Sequence, residues 1–229
     1  MREEKEYARI KKKSLMLQPH HLNHFLYKFC ADKKVRILDL GCGNDSAKRV
    51  RNICGDLPYY SGLDVGDYNL TDDSKENMNE YVVVEPEKFA DTILKWEGQE
   101  DIIISNHNLE HCNCPDDVLL NITKSLKKGG HLYMAFPSEE SVDFPKGFNG
   151  CLNYYDDSTH QKTPPSWEHT IEVLKNNRMK ILYLSKRYSP DEMKKIGEIN
   201  WPYSQQFKAV LPGIWEYFGF ESIIWARKG

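Results

Sequence analysis

The residues best suited to chemistry lie in the stretch DIIISNHNLEHC, residues 101–112. His107, Glu110 and His111 form the pattern H-x-x-E-H, in which two imidazoles and a carboxylate on one helical face would serve a zinc peptidase. That site needs His107 and His111 as neighbours four apart on a sustained helix. The preceding residues, DIIIS, are β-formers, and Pro115 opens a new segment soon after. Only a short turn fits between. Cys112 and Cys114, as C-x-C, are crowded for one tetrahedral ion. The pattern is therefore read as the mouth of a pocket at a strand end, and no metal ligand is assigned.

A second constellation lies in LDLGCGNDS, which places Gly41 and Gly43 after an apolar run. Glycines let the backbone approach a ligand closely, and the N–H groups of a following helix start are free to face it. Asp64 comes roughly 20 residues later, where an acid accepts both hydroxyls of an adenosine ribose. Two cofactor classes share that arrangement. A dinucleotide turn would carry a third glycine where Ser46 stands. Asp39, two residues before Gly41, would repel a pyrophosphate but suits a ligand with an amine and a sulfonium. S-adenosylmethionine is the reading, and an NAD-linked oxidoreductase on the same sheet is the alternative.

Seven short apolar runs must position these residues: 35–40, 59–65, 81–85, 101–105, 131–136, 179–185 and 221–227. Each reads as a strand. The spacing of Val118, Leu119, Ile122 and Leu126 predicts a helix over 115–128, with Lys127 and Lys128 at its negative end and Gly129 as its stop. A second helix is expected over 164–176, with Trp167, Ile171 and Leu174 as its stripe and Asn176-Asn177 as its close. Strands alternating with helices imply crossovers and a mainly parallel sheet. Runs apolar throughout imply helices on both faces. Ligands of such sheets bind beyond the carboxyl ends of the strands.

Four motifs, ILDLGCG, GLDV, DIIISNHNLEH and LKKGGHLYMAFP, occur in the order and spacing of one family. On them the chain resembles the class I S-adenosylmethionine-dependent methyltransferases, over nearly its whole length. It departs from them in Asn44-Asp45, where many members have a third glycine, and in Lys128, where proline is common. The resemblance implies an α/β, Rossmann-like, seven-stranded sheet, mostly parallel, with helices on both faces and the last strand antiparallel. It implies a single domain over 1–229, with an N-terminal helical lid over 1–30 and acceptor-pocket insertions over 137–165 and 188–218. Asp39, Gly41, Cys42, Gly43, Asp64, Val65, Glu85, Ser105 and Asn106 become the expected cofactor contacts. His107 becomes the expected general base, with His160 in reserve and His111 behind them. An acceptor that is already anionic would need no base, and Lys162 or Arg187 would then hold its charge. Tyr154, Tyr155, His20, His21 and Arg187 are the expected acceptor contacts.

The chain of 229 residues carries a net charge of −3, so it lacks the basic footprint of a nucleic-acid binder. The N-terminal stretch MREEKEYARIKKK has no apolar signal region, and no run approaches the ~18 apolar residues of a membrane span. A cytoplasmic protein is expected, with its six cysteines as free thiols. The long segments between the last strands are expected to cover a small-molecule pocket. The look is similar to bacterial enzymes that decorate metabolites or surface-glycan precursors. O-methylation of a small polar acceptor, phosphorylated or sugar-derived, by a monomer or homodimer is the expectation. A non-catalytic partner subunit that keeps the cofactor pocket is a further alternative.

Overall fold

The computed structural model describes residues 15–43 and 45–229. Its centre is a seven-stranded sheet of β1 (Arg36–Leu40), β2 (Tyr59–Asp64), β3 (Glu80–Val83), β4 (Glu100–Asn106), β5 (Leu126–Pro137), β6 (Met179–Ser185) and β7 (Glu221–Lys228). The order across the sheet is β3-β2-β1-β4-β5-β7-β6. β1 to β5 pair in parallel. β7 runs antiparallel between β5 and β6. The expected fold class is the one observed. The strand order reverses where β1 meets β4, so a crevice opens beyond Leu40 and Asn106.

Alternation along each strand builds two apolar layers. On one face Leu38, Leu40, Ile103, Leu132 and Met134 pack under α5 (Pro115–Ser125) and α6 (Trp167–Asn176). α4 (Phe89–Thr92) adds Phe89 to the same layer. On the other face Ile37, Tyr60, Ile104, Tyr133 and Trp225 pack under α1 (Leu22–Phe29) and α2 (Ser46–Cys54). The short α3 (Asp72–Glu76) follows β2. α6 carries the expected stripe inward, with Trp167, Ile171 and Leu174 buried and Asn177 at its end.

The helix expected over 115–128 stops at Ser125. Leu126 is buried and extended, and it pairs with Glu100 as the first residue of β5. Lys127 therefore does not sit at a helix terminus; its Nζ lies 2.9 Å from Asp101. Gly129 does turn the chain, at φ +83°, but within a strand. Burial of Leu126 and pairing with β4 outweigh helix propensity here.

After β6 the chain folds into a hairpin of α7 (Asp191–Phe207) and α8 (Ile214–Phe218). Ile214 joins Phe148 and Leu152 in a small core of its own. The two helices meet at glycine. A Cβ on Gly197 would lie 2.0 Å from the Gly213 carbonyl oxygen and 2.6 Å from Tyr217 Cβ. Backbone cannot yield as a side-chain tip can. Gly197→Ala is expected to cost about 3 kcal/mol or more, read as a lowered urea midpoint.

Among the described residues no helix is long and apolar enough to cross a membrane. All six cysteines are thiols, with no disulfide among the described residues.

Candidate active site

A cavity of about 770 Å³ opens at the crevice between β1 and β4, within the range of small-molecule and cofactor sites. Its floor is the glycine turn. Gly41 sits at φ +72°, a conformation open to glycine at no cost, and a Cβ there would press on Asn108 at 3.0 Å. The turn lacks the third glycine, yet Asp45 takes a left-handed φ of +56° ahead of α2. An aspartate tolerates that conformation better than most side chains. Asn44 is outside the described residues.

Asp64 ends β2 and lines the cavity. Its carboxylate accepts the Gly43 N–H at 3.0 Å and the Val65 N–H at 2.7 Å. Burial pushes its pKa up, and these N–H groups push it back. The donors orient the carboxylate and leave lone pairs for a diol. Val65, Phe89, Ala90 and Val118 make an apolar wall beside it, suited to a flat purine. An oriented acid, an apolar slot and bare glycine backbone together fit an adenosine-bearing ligand.

A family model described as Methyltransferase domain matches residues 9–196. The chain belongs to the methyltransferase-domain family. No curated protein matches it. Solved structures share the fold at low identity. A complex of the Haloferax volcanii Trm112 methyltransferase activator with a methyltransferase is 15% identical, covering 95% of this chain and 92% of that one, at TM-score 0.62. A S-adenosylmethionine-dependent methyltransferase from Archaeoglobus fulgidus is 17% identical, with 96% and 93% covered, at TM-score 0.52. The Haemonchus contortus phosphoethanolamine N-methyltransferase 2, in complex with S-adenosyl-L-methionine, is 17% identical at TM-score 0.58. It covers 90% of this chain and 52% of that one. The chain is a class I S-adenosylmethionine-dependent methyltransferase, and the dinucleotide alternative falls away.

The methyltransferase cavity takes in part of the expected cofactor set. Gly41, Gly43, Asp64 and Val65 line it. Asp39 does not. Parity along β1 turns its side chain to the α2 face, where Oδ2 accepts from Ser46 Oγ at 2.5 Å and Tyr60 OH at 2.6 Å. Asp39 thus ties the glycine turn to the first residue of α2. Cys42 is fully buried, and its Sγ occupies the space a Cβ on Gly62 would need, at 2.6 Å. Glu85 is exposed one residue ahead of Pro86 and Glu87, which do line the cavity. Ser105 is buried in the core behind Asn108. Asn106 lies beside Ala135 in the sheet, off the cavity wall.

Burial drives the Asp39 pKa up to about 6, against the pull of Ser46 and Tyr60. The sign follows from linkage. A carboxyl raised in the fold favours the folded state below 3.8, and that advantage is lost as pH rises to about 6. Above pH 6 the buried charge is a cost. Asp39→Asn, whose amide oxygen can accept both hydroxyls, is therefore expected to stabilise the chain at pH 7–8 by on the order of 1–3 kcal/mol. The gain should vanish below about pH 4, as thermal unfolding across pH would show.

His107 follows β4 with a left-handed φ of +51°, a strain of about 1–2 kcal/mol for a bulky side chain. Three contacts hold it there. Its N–H donates to Ala135 O at 2.8 Å. Nδ1 lies 3.0 Å from Glu110 Oε1 and Nε2 lies 2.7 Å from Glu221 Oε1. Burial alone would lower its pKa, but the two carboxylates outweigh it and set the imidazole at about 10. With both nitrogens donating and a proton held across the neutral range, the ring has no lone pair for proton abstraction. The general-base role expected of His107 meets this obstacle. It was invisible in sequence, because Glu221 is 114 residues away.

His111 lines the cavity, and His160 packs against Tyr154 just behind it, with ring centroids 4.5 Å apart and the rings tilted by 31°. The loop after β5 alternates: Asp157, Thr159 and Gln161 line the cavity, while His160 lies behind that lining, its side chain 5% exposed and its ring 4.7 Å from that of His111. Gln161 fastens that loop to the turn after β4, its N–H donating to Glu110 O at 2.9 Å and its amide to His111 O at 3.2 Å. Residue type favoured His160, Tyr154 and Tyr155 in the sequence; alternation would have pointed to their neighbours. Tyr154 is buried with its hydroxyl on Thr163 O, and Tyr155 faces solvent.

The remaining acceptor candidates lie elsewhere. His20 stacks on Tyr183 at 4.0 Å over the far edge of the sheet. His21 caps α1, its Nε2 3.9 Å from Glu221. Arg187 lies over the Phe144 ring and donates to Phe218 O. Of the expected lid, residues 1–14 are outside the described residues, and α1 packs on the sheet with Leu22, Phe25 and Leu26 buried. Residues 157–161 of the first expected insertion contribute to the cavity wall, and none of 188–218 does. Asn108, Tyr68, Phe89 and Val118 also shape the cavity. They carry no motif signal, since any strand-end loop may contain them.

Proposed function

We propose that the chain transfers a methyl group to an oxygen of a small, neutral, hydroxyl-rich acceptor, such as a sugar-derived surface-glycan precursor. One observation carries this reading: the cavity lining outside the glycine turn and the apolar slot is polar and acidic. Asn113, Asp117, Asp157, Thr159 and Gln161 line it, and among the described residues no Lys or Arg does. A phosphate there would meet carboxylates without a compensating side chain, whereas hydroxyls find acceptors on every side. This supports the sugar-derived option over the phosphorylated one.

S-adenosylmethionine, when bound, supplies a methyl carbon activated by positive sulfur. Asp64, the glycine turn and the wall of Val65 and Phe89 would hold it. The protein's remaining work is alignment and exclusion of water. His107 positions the turn after β4 through Glu110 and Glu221. The free imidazole lone pairs at the acceptor end belong to His111 and His160. Incubating the enzyme with labelled cofactor and a panel of neutral sugars, polyols, amines and sugar phosphates, with mass analysis of products, tests the reading. Label on a hydroxyl oxygen of a neutral acceptor supports it. Transfer confined to nitrogen, or to phosphorylated acceptors alone, would overturn it.

A further inference from the structure

Glu110, His111 and His160 each bring one ligating atom to within 4.8 Å of the others. The hydrogen bonds around them settle which atoms are free. His160 Nδ1–H donates to Tyr154 O at 2.6 Å, so its Nε2 carries the lone pair. Thr159 Oγ1–H donates to Asp157 Oδ1 at 2.6 Å, so that oxygen can only accept from His111 Nδ1–H, at 3.0 Å. The His111 lone pair is therefore also on Nε2. Glu110 has a fully buried side chain and spends Oε1 on His107. Its Oε2 is buried with no partner at all. A buried carboxylate oxygen left bare costs free energy unless something binds it.

Two imidazoles with their Nδ1–H groups fixed on oxygens, and their Nε2 lone pairs free, form the arrangement that metal-ligating histidines adopt. The carboxylate is steadied the same way, by His107. Asp157 Oδ2 stands 4.0 Å from His160 Nε2 as a fourth donor atom. We propose that Glu110, His111 and His160 form a divalent-cation site at the acceptor end of the cavity, where the ion seats the acceptor's hydroxyl oxygen. Imidazole and carboxylate ligands favour zinc, iron, cobalt or manganese. Metal–ligand bonds of about 2.1 Å bring tetrahedral ligands to about 3.4 Å from one another. The partly buried His111, on the cavity wall, is the ligand with room to close that gap. The sequence pattern H-x-x-E-H thus contributes its last two residues, and the third ligand comes from the loop after β5.

This role for the ion rests on the methyl-transfer reading above. A cation-bound hydroxyl loses its proton more easily. Its O–H bond breaks, the electron pair stays on oxygen, and the proton passes to water at the cavity mouth. The clamped His107 is then not needed as a base.

The test uses the full chain, stripped with a chelator and titrated with Co²⁺, followed by its visible absorption and by equilibrium dialysis, with Zn²⁺ as competitor. One cobalt per chain, displaced by zinc, is expected. His111→Ala and His160→Gln should each weaken it at least tenfold. Thr159→Val, which removes only the oxygen that orients His111, should weaken it tenfold to a hundredfold. Glu110→Gln also disturbs His107, so the two histidine variants carry the decision. No stoichiometric binding, or binding unchanged in both, overturns the site. Thermal stabilisation by S-adenosylhomocysteine, measured in the same samples, is expected to persist throughout. Its loss in the unsubstituted chain would count against the cofactor reading alone.

Discussion

Replacing Glu221 with alanine is expected to lower stability by about 3–5 kcal/mol, the cost of leaving one partner of a buried ion pair unmatched. Glu221 opens β7 and is 4% exposed. It faces the Nε2 of an imidazole that Glu110 alone would have to hold. For a chain of this size the loss corresponds to a fall of roughly 6–20 °C in Tm. The pH dependence identifies the cause. His107 moves from an ordinary 6.5 up to about 10, so its contribution is complete below 6.5 and fades as pH climbs to about 10. Burial would raise Glu221, but the His107 hydrogen bond and charge pull it below its ordinary 4.5. Its contribution is complete above 4.5 and disappears as pH falls through the lowered value. The alanine variant should therefore lag most between about pH 5 and 6.5 and converge on the parent near pH 10. A deficit that does not change with pH would show that Glu221 acts through shape and not charge.

The second large effect is on cofactor affinity. Asp64→Ala removes the carboxylate that the Gly43 and Val65 N–H groups aim at the cavity. Hydrogen bonds to a charged acceptor are worth about 1.5–3 kcal/mol each. Losing a pair from the ribose should weaken S-adenosylhomocysteine about a hundredfold or more, measured by calorimetry. The substitution also relieves the desolvation that raises the Asp64 pKa, so the ligand-free chain should unfold within about 5 °C of the parent. Unaltered affinity in a folded Asp64→Ala protein would move the cofactor away from the ends of β1 and β2. The contrast with Asp39 is informative, because both acids lie near the carboxyl ends of neighbouring strands. Asp39→Asn should leave affinity nearly unchanged, since its carboxylate holds Ser46 and Tyr60 behind the turn.

Local pattern determined a good deal by itself. Seven apolar runs between helical segments specify a mainly parallel sheet, because most of the runs are too apolar to leave either face in water; β6, at the sheet edge, is an exception, with Leu182 and Leu184 exposed. The glycines after β1 and the acid after β2 are readable because a tight turn and a ribose impose residue type and spacing along the chain. Lys127 and Gly129 were misplaced for the converse reason. The helix signals before them are real, but pairing of Leu126 with Glu100 is decided across strands. Asp39 and Cys42 looked like cofactor contacts by position, and strand parity with neighbouring side chains turned them inward.

Tertiary structure alone decided the chemistry of the histidines. His107, His111 and His160 are the same residue type, and each could be a base, a ligand or a strut. Glu221, from the last strand, locks both nitrogens of His107 into a charged pair. Thr159, 48 residues on, holds the His111 ring by Nδ1, and Tyr154, six residues back in the same loop, holds that of His160, which frees both Nε2 atoms. A histidine's role depends on which lone pair remains after its neighbours are satisfied. Apart from Glu110 beside His107 and Tyr154 beside His160, those neighbours are brought close by the fold, at separations over which sequence spacing carries no information.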